Sequence, residues 1–256
     1  MDESQWVRPG ERVDDLQFAG LTILQNPKMF CFGMDAVLLA DFCSIRPADK
    51  AADLGTGTGI LPLLMAGRAE RAVIHGFEIQ KDMADMAKRS VAMNGLDHRV
   101  FIHQEDLRNA PHFVTAGSLD LVVSNPPYGK EGGSLLNPRE ELRLARHEGG
   151  TTLYEVIYAA KVLLNNGGRL AVVFPAPRML ELMDTMRLHK LEPKRLRMVH
   201  SKTDKAPHLV LVEGVKSARP MLHCLPPLVV YDERGKPTRE LDRIYHRYHD
   251  TKEADA

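Results

Sequence analysis

The chain has 256 residues, 44% of them hydrophobic, and its 34 basic and 34 acidic side chains leave a formal net charge of zero. This length and composition suit one principal α/β domain, and the balanced charge excludes a protein that coats nucleic acid indiscriminately through Lys and Arg contacts to phosphate. Three scattered cysteines exclude a disulfide framework or a cysteine-based zinc site. The N-terminus does not resemble a leader, and no run of ~20 apolar residues occurs. We therefore predict a reduced cytoplasmic protein without metal.

The first predicted element is a helix over residues 34–42, directly after Gly33. Its apolar residues Met34, Val37 and Leu38 recur with helical spacing. We place residues 1–48 in a small N-terminal cap over the ligand face of the sheet that follows.

From residue 51 onward, short apolar runs alternate with helical patterns, which is typical of a parallel sheet with crossover helices. Strands are predicted at residues 51–54, 72–78, 99–103, 119–124 and 169–174. Helices are predicted at residues 59–68, 81–94, 152–164 and 178–189. The third helix stops at Asn165-Asn166-Gly167-Gly168. The core, residues 49–215, is therefore predicted to be α/β with a mostly parallel sheet.

Two later strands, residues 196–200 and 208–212, are joined by a polar connection and predict an antiparallel pair at one sheet edge. Residues 216–256 are predicted to form a C-terminal appendage packed on the core, with a strand at 228–231 and a helix at 238–249. Between Arg187 and Lys205, seven basic residues stand against two acidic ones. This stretch predicts a basic face for nucleic-acid phosphate, with a merely solvated surface as the alternative.

The turn after the first core strand is rich in glycine and reads Asp53-Leu54-Gly55-Thr56-Gly57-Thr58-Gly59. Glycines let the backbone turn tightly and approach a ligand, and the helix that follows offers free N–H groups and positive potential. We therefore predict a nucleotide-type cofactor held here by Asp53, Gly55, Thr56, Gly57 and Gly59. The GxGxG spacing separates this loop only weakly from the dinucleotide fingerprint GxGxxG.

Acidic residues follow the next two core strands. Glu78 is placed to accept hydrogen bonds from two ribose hydroxyls, and Asp106 is placed to accept one from an adenine amine. Because parallel strands end at a common edge, the glycine turn and both acids fit an adenosine ligand lying across that edge. Asp106 taken alone is also a common helix cap.

The fourth core strand ends in Asn125-Pro126-Pro127-Tyr128. The two prolines fix the backbone, so that the Asn125 side chain and the Pro126 carbonyl, both acceptors, can aim at one point. A conjugated amine is a poor nucleophile because its lone pair is delocalised; two fixed acceptors can direct that lone pair at a sulfonium methyl. Tyr128 offers a flat face on which the substrate ring can stack. The motif predicts methylation of a planar amine, and a rigid turn is the alternative.

These motifs resemble those of class I S-adenosylmethionine-dependent methyltransferases of the amino-methylating type. The closer resemblance is to bacterial methyltransferases that modify the exocyclic N6 amine of the adenosine beside the anticodon of valine tRNA. It covers most of the chain and rests on three further segments: Phe32-Gly33-Met34-Asp35-Ala36-Val37-Leu38-Leu39, Arg143-Leu144-Ala145-Arg146-His147-Glu148 and Pro207-His208-Leu209-Val210-Leu211-Val212-Glu213.

The resemblance implies a Rossmann-like fold with a mostly parallel seven-stranded sheet and an antiparallel edge. It implies S-adenosylmethionine as cofactor, S-adenosylhomocysteine as product, and the adenosine at position 37 of tRNA as substrate, with the amine bound by Asn125, Pro126 and Tyr128. Further candidates for substrate contact are Asp35, Arg143, Arg146, Lys194, Arg195 and Arg197. Protein-glutamine methyltransferases share the Asn-Pro-Pro-Tyr motif, since a side-chain amide nitrogen is also planar and conjugated, so glutamine methylation is the first alternative function. The second alternative is a non-catalytic RNA- or protein-binding module. A nicotinamide dehydrogenase is the weakest alternative.

Overall fold

The computed structural model describes residues 5–29, 31–126 and 151–246. Its strands are β1 (Arg12–Asp15), β2 (Thr22–Gln25), β3 (Lys50–Leu54), β4 (Val73–Glu78), β5 (Val100–Gln104), β6 (Leu119–Ser124), β7 (Leu164–Pro175), β8 (Leu191–His200), β9 (Pro207–Lys216), β10 (His223–Cys224) and β11 (Leu228–Val229). Its helices are α1 (Met34–Phe42), α2 (Ile60–Arg68), α3 (Lys81–Met93), α4 (Leu153–Leu163), α5 (Met179–Leu188) and α6 (Arg239–Ile244).

The central sheet has seven main strands in the order β8-β9-β7-β6-β3-β4-β5 among the described residues, and the two-residue strands β10 and β11 pair with β8 at its edge. Strands β3 to β7 run parallel, whereas β9 runs antiparallel to both β7 and β8. The predicted α/β fold with a mostly parallel sheet and an antiparallel edge is therefore confirmed. The antiparallel pair at the edge is β8 and β9, and the reversed strand β9 lies between β8 and β7.

The segment after α4 differs from its prediction. The helix begins where expected, because Thr152 and Glu155 form a capping box in which each side chain accepts from the other residue's backbone N–H. The predicted stop Asn165-Asn166-Gly167-Gly168 is not a free turn, however, because β7 starts at Leu164, immediately after the helix. The Asn165 amide donates to Asp120 Oδ1 at 2.8 Å. This hydrogen bond ties the segment to β6, with which β7 already pairs at Leu164.

Strands β1 and β2 form an antiparallel hairpin that the sequence did not predict. The hairpin packs on α3, where the backbone N–H of Leu24 donates to Ser90 Oγ at 2.9 Å and that of Thr22 donates to Asn94 Oδ1 at 3.0 Å. Leu24 is fully buried there. The hairpin thereby places Gln25, the last residue of β2, against the core.

A buried ion pair joins β7 to the loop before β3. Arg169 contacts Asp49, both side chains being only 7% exposed, and Arg169 also donates to the Ser44 carbonyl. We expect Arg169→Leu to lower the free energy of unfolding by about 3 kcal/mol, because the Asp49 carboxylate would stay buried without its cation. Urea unfolding at neutral pH measures the change.

The control for this prediction is Arg12→Leu, since the Arg12 guanidinium is 56% exposed and pairs with Asp14 at the surface. An exposed pair contributes less than about 1 kcal/mol. Equal losses in the two variants would contradict a stabilising role for the buried pair.

Candidate active site

The candidate site lies along the carboxyl edge of the parallel strands. Strand β3 pairs with β4 on one side and with β6 on the other, and β5 continues the sheet beyond β4. The glycine loop after β3 therefore lies between the ends of β4 and β6. This topology brings the loop, Glu78, Asp106 and Asn125 to one edge of the sheet.

The glycine loop adopts a backbone that only glycine reaches without strain. Gly55, Gly57 and Gly59 have φ angles of +83°, +58° and +90°. A Cβ added at Gly59 would lie 3.1 Å from the Cβ of Ala87, so this glycine also lets α2 approach α3. The backbone N–H groups of Gly55 and Thr56 both donate to the Phe77 carbonyl, at 3.0 and 2.9 Å. The loop is thus anchored to the end of β4.

Glu78 is fixed beside this loop. Its two carboxylate oxygens accept from the backbone N–H groups of Gly57 at 2.9 Å and Gln80 at 2.8 Å, and the residue is 7% exposed. Each carboxylate oxygen has a second lone pair. The pair of oxygens can therefore accept from two neighbouring hydroxyls, as the ribose prediction requires.

Asp53 is a buried carboxylate without a hydrogen-bond partner among the described residues. It is 0% exposed, and neither of its oxygens is satisfied; the buried Thr56 hydroxyl is unsatisfied as well. Burial raises the pKa of Asp53 to about 7; the neighbouring Thr56 side chain opposes this rise, and the nearby Glu78 carboxylate adds to it. Because an unpaired buried carboxylate is costly, the site fits a ligand that brings a cationic hydrogen-bond donor.

Gln25 is a residue of this site that the sequence did not indicate. It is 0% exposed, its Nε2 donates to Thr58 Oγ1 at 3.2 Å, and its Oε1 has no partner among the described residues. A glutamine that ends a short apolar run carries no functional signal by itself. Its place beside the glycine loop depends on the β1–β2 hairpin, and it adds another unsatisfied acceptor there.

Asp106 caps a short 3₁₀ helix, Leu107–His112. Its Oδ1 accepts from the backbone N–H of Arg108 at 2.9 Å. The Arg108 side chain also pairs with this carboxylate, and that hydrogen bond lowers the pKa of Asp106. The capping role that the sequence left open is therefore present, and the contact to an adenine amine stays a prediction.

Asn125 lies at the end of β6, which is tied to β3 because Ser124 Oγ donates to the Leu54 carbonyl at 2.7 Å. The Asn125 side chain reaches α1, where its Nδ2 donates to Asp35 Oδ2 at 3.0 Å. Pro126 follows directly in the chain. The predicted residues Tyr128, Arg143 and Arg146 lie outside the described residues.

The three basic candidates on β8 make intramolecular contacts. Arg195 pairs with Glu213 at 3.1 Å and its guanidinium lies 4.7 Å from the centre of the Phe42 ring. Arg197 pairs with Glu240 at 2.7 Å, and Lys194 Nζ donates to a backbone carbonyl at 3.1 Å. Strands β9 and β7 separate them from β6. These contacts hold β8 to its surroundings, and an RNA contact for these residues stays a prediction.

A histidine that the sequence did not single out lies at the same edge as Asn125. Because β9 runs antiparallel, its first residues lie beside the carboxyl ends of its neighbours, and His208 is exposed there. Although the side chain is exposed, desolvation of its ring by neighbouring atoms lowers the pKa of His208, and repulsion from His200 adds to this. A backbone hydrogen bond at Val199 and the Asp35 carboxylate oppose the shift. The only sequence signal was its position in the segment 207–213 that resembles the family.

Across the described residues, no helix is both long enough and apolar enough to span a bilayer. The same residues contain no cluster of three or more His, Cys, Asp or Glu side chains suited to a metal ion.

Comparison with known families gives a consistent result. The family model described as "Methyltransferase small domain" matches residues 20–190. A relative from Tolumonas auensis named tRNA1(Val) (adenine(37)-N6)-methyltransferase is 33% identical over 183 residues, which cover 70% of this chain and 74% of that protein. A relative of the same name from Parabacteroides distasonis is 30% identical over 234 residues, 91% of each chain.

Solved structures share the fold. A "predicted O-methyltransferase" from Agrobacterium tumefaciens aligns with a TM-score of 0.67 at 21% identity and covers 83% of this chain and 96% of its own. Geranyl diphosphate C-methyltransferase from Streptomyces coelicolor A3(2), solved with S-adenosyl-L-homocysteine, aligns with a TM-score of 0.53 at 15% identity and covers 71% of this chain and 79% of its own.

Proposed function

The chain belongs to the methyltransferase small domain family, and from that premise we propose that it transfers a methyl group from S-adenosylmethionine to the N6 amine of adenosine 37 in valine tRNA. The observation that supports the chemistry is the location of Asn125 at the end of β6, beside strand β3, whose glycine loop is proposed to bind the cofactor. A conjugated amine bound at Asn125 would lie next to the methyl donor.

The residues at the sheet edge fit S-adenosylmethionine. Glu78 would accept from the two ribose hydroxyls, and Asp106 is proposed for the adenine amine. The acceptors of Asp53 and Gln25, which have no hydrogen-bond partner among the described residues, would receive the methionyl ammonium, a cationic donor. When bound, the cofactor supplies an electrophilic sulfonium methyl group and leaves as S-adenosylhomocysteine.

The protein's part in the reaction is positioning. The Asn125 carbonyl and the Pro126 carbonyl are proposed to accept the two hydrogens of the adenine amine, so that the nitrogen lone pair is withdrawn from the ring and aligned with the methyl group. Neither group takes up a proton, so the proton that the nitrogen loses on methylation is released to solvent. We assign Tyr128 the role of stacking on an adenine that has left its base stack.

The relatives' names and the basic stretch 187–205 both favour tRNA as the substrate over a glutamine side chain in a protein. Binding of tRNA would depend steeply on salt because it releases counterions from phosphate, whereas a peptide loop would bind with little salt dependence. We also propose a cytoplasmic location, where tRNA is modified.

The test is the transfer of labelled methyl from S-adenosylmethionine to total RNA, with ribosomal and release-factor proteins assayed in parallel and the products analysed as nucleosides. We expect label in N6-methyladenosine of valine tRNA, and transcripts with adenosine 37 replaced should lose it. Label only in protein would move the function to glutamine methylation. Absence of label in every fraction would favour a binding module.

A further inference from the structure

The Asn125 side chain has two ends of nearly equal size, a carbonyl oxygen and an NH₂ group, and only the oxygen can accept a hydrogen from a substrate amine. The neighbouring groups therefore decide which end faces the substrate. Asp35 Oδ2 lies 3.0 Å from Asn125 Nδ2. Because an ionised carboxylate only accepts hydrogen bonds, this contact requires the NH₂ end of the amide to face Asp35.

The position of Asp35 is itself closely fixed. It lies in the first turn of α1, where its Oδ1 accepts from the backbone N–H of Ala36 at 3.1 Å. A Cβ added at Gly33 would lie 2.6 Å from that same oxygen, which is closer than real Cβ contacts allow. Glycine at position 33 thus leaves room for the carboxylate.

Helix α1 is a rigid support for this contact. Its residues from Ala36 to Ala40 are all buried in the core, as is Phe42. A side chain held by a packed helix keeps its geometry better than one on a loop. The contact also joins residues that are 90 positions apart in the chain.

We propose that Asp35 is a positioning residue for catalysis: its carboxylate holds the Asn125 amide so that the carbonyl oxygen faces the substrate amine, and the hydrogen bond polarises that oxygen as an acceptor. This inference rests on the proposed function. It differs from the sequence-based prediction that Asp35 contacts the substrate directly, because the residue acts through Asn125. Removal of Asp35 is therefore expected to lower kcat and not the affinity for tRNA.

The first test compares two variants of the full chain. Asp35→Leu removes the acceptor at similar size, and we expect kcat to fall roughly 100-fold, while the KM for tRNA and the affinity for S-adenosylmethionine stay within about threefold. Asp35→Asn keeps a carbonyl that can accept from Asn125 Nδ2, and it should retain activity within about tenfold of wild type. Recovery by the neutral amide shows that orientation of Asn125, and not charge alone, is what Asp35 supplies.

Two further variants test the same role, one expected to lower kcat and one expected to leave it unchanged. Gly33→Ala should lower kcat in the same sense as Asp35→Leu, because the new Cβ displaces the carboxylate. Asp82→Leu removes an exposed acidic residue from the corresponding first turn of α3 and should leave kcat unchanged. If Asp35→Leu loses cofactor binding through misfolding, Asp35→Ala, which inserts no bulk, takes its place.

Turnover by the wild type distinguishes failure of the proposed function from failure of the positioning role of Asp35. An inactive wild type on valine tRNA would overturn the proposed function itself. An active wild type together with an Asp35→Leu variant of unchanged kcat would overturn the positioning role alone. A raised KM for tRNA at unchanged kcat would also overturn it, because that pattern indicates direct contact with the substrate.

Discussion

Replacement of Asn125 by alanine is expected to lower kcat by at least about 100-fold and to leave the affinity for S-adenosylmethionine within about threefold. The side chain is proposed to meet the reacting amine, and removal of one such preorganised group typically costs 10² to 10³ in rate. The cofactor site proposed at Glu78, Asp53 and the glycine loop does not include this amide. Single-turnover methyl transfer to valine tRNA and calorimetric titration of the cofactor measure the two quantities.

A matched control is Asn166→Ala, because Asn166 is an exposed asparagine near the start of β7, at the opposite end of the sheet strands. It should keep full activity. Retained turnover in Asn125→Ala would refute the proposed role of the amide. A large loss of cofactor affinity in that variant would show that Asn125 supports the cofactor site instead.

Asp53→Asn is expected to weaken binding of S-adenosylmethionine by at least about 10-fold and yet to stabilise the ligand-free protein. The carboxylate is fully buried, both oxygens lack partners among the described residues, and it is proposed to meet the methionyl ammonium. A neutral amide loses that attraction but carries a smaller desolvation penalty. Cofactor titration and urea unfolding without ligand measure the two opposite effects.

The stabilising effect of Asp53→Asn should depend on pH in a defined direction. The pKa of Asp53 is raised from 3.8 to about 7 in the folded chain, chiefly by burial. Folding therefore favours the protonated form, so the contribution of Asp53 to the free energy of unfolding falls as pH rises from about 4 to about 7 and then stays level. The difference in free energy of unfolding between Asp53→Asn and wild type should be near zero at pH 4 and should reach up to about 4 kcal/mol above pH 7.

Asp97→Asn serves as the control, because Asp97 is exposed and lies far along the chain from the glycine loop. The difference in free energy of unfolding between this variant and wild type should stay far smaller than that for Asp53→Asn, because no buried carboxylate is removed. If the gap between wild type and Asp53→Asn were constant from pH 4 to pH 8, the raised pKa of Asp53 would be refuted.

Local sequence patterns determined the core of this protein. The strand at residues 119–124 and the helix at 34–42 have the predicted bounds, because apolar spacing and turn residues act within a few positions along the chain. The glycine turn was recognisable for the same reason, since positive φ angles at positions 55, 57 and 59 demand glycine locally. The order of strands and helices then indicated a parallel sheet whose carboxyl edge binds the ligand.

Only the tertiary structure decided which side chains act together. The Asp35–Asn125 contact and the place of Gln25 beside Thr58 join distant segments, and no local pattern specifies such a pairing. The same holds for Arg195 and Arg197, which the sequence marked only as positive charge and which the fold pairs with Glu213 and Glu240. Periodicity and turn chemistry are properties of neighbours in the chain, whereas hydrogen-bond partners are set by how the packed helices and strands meet.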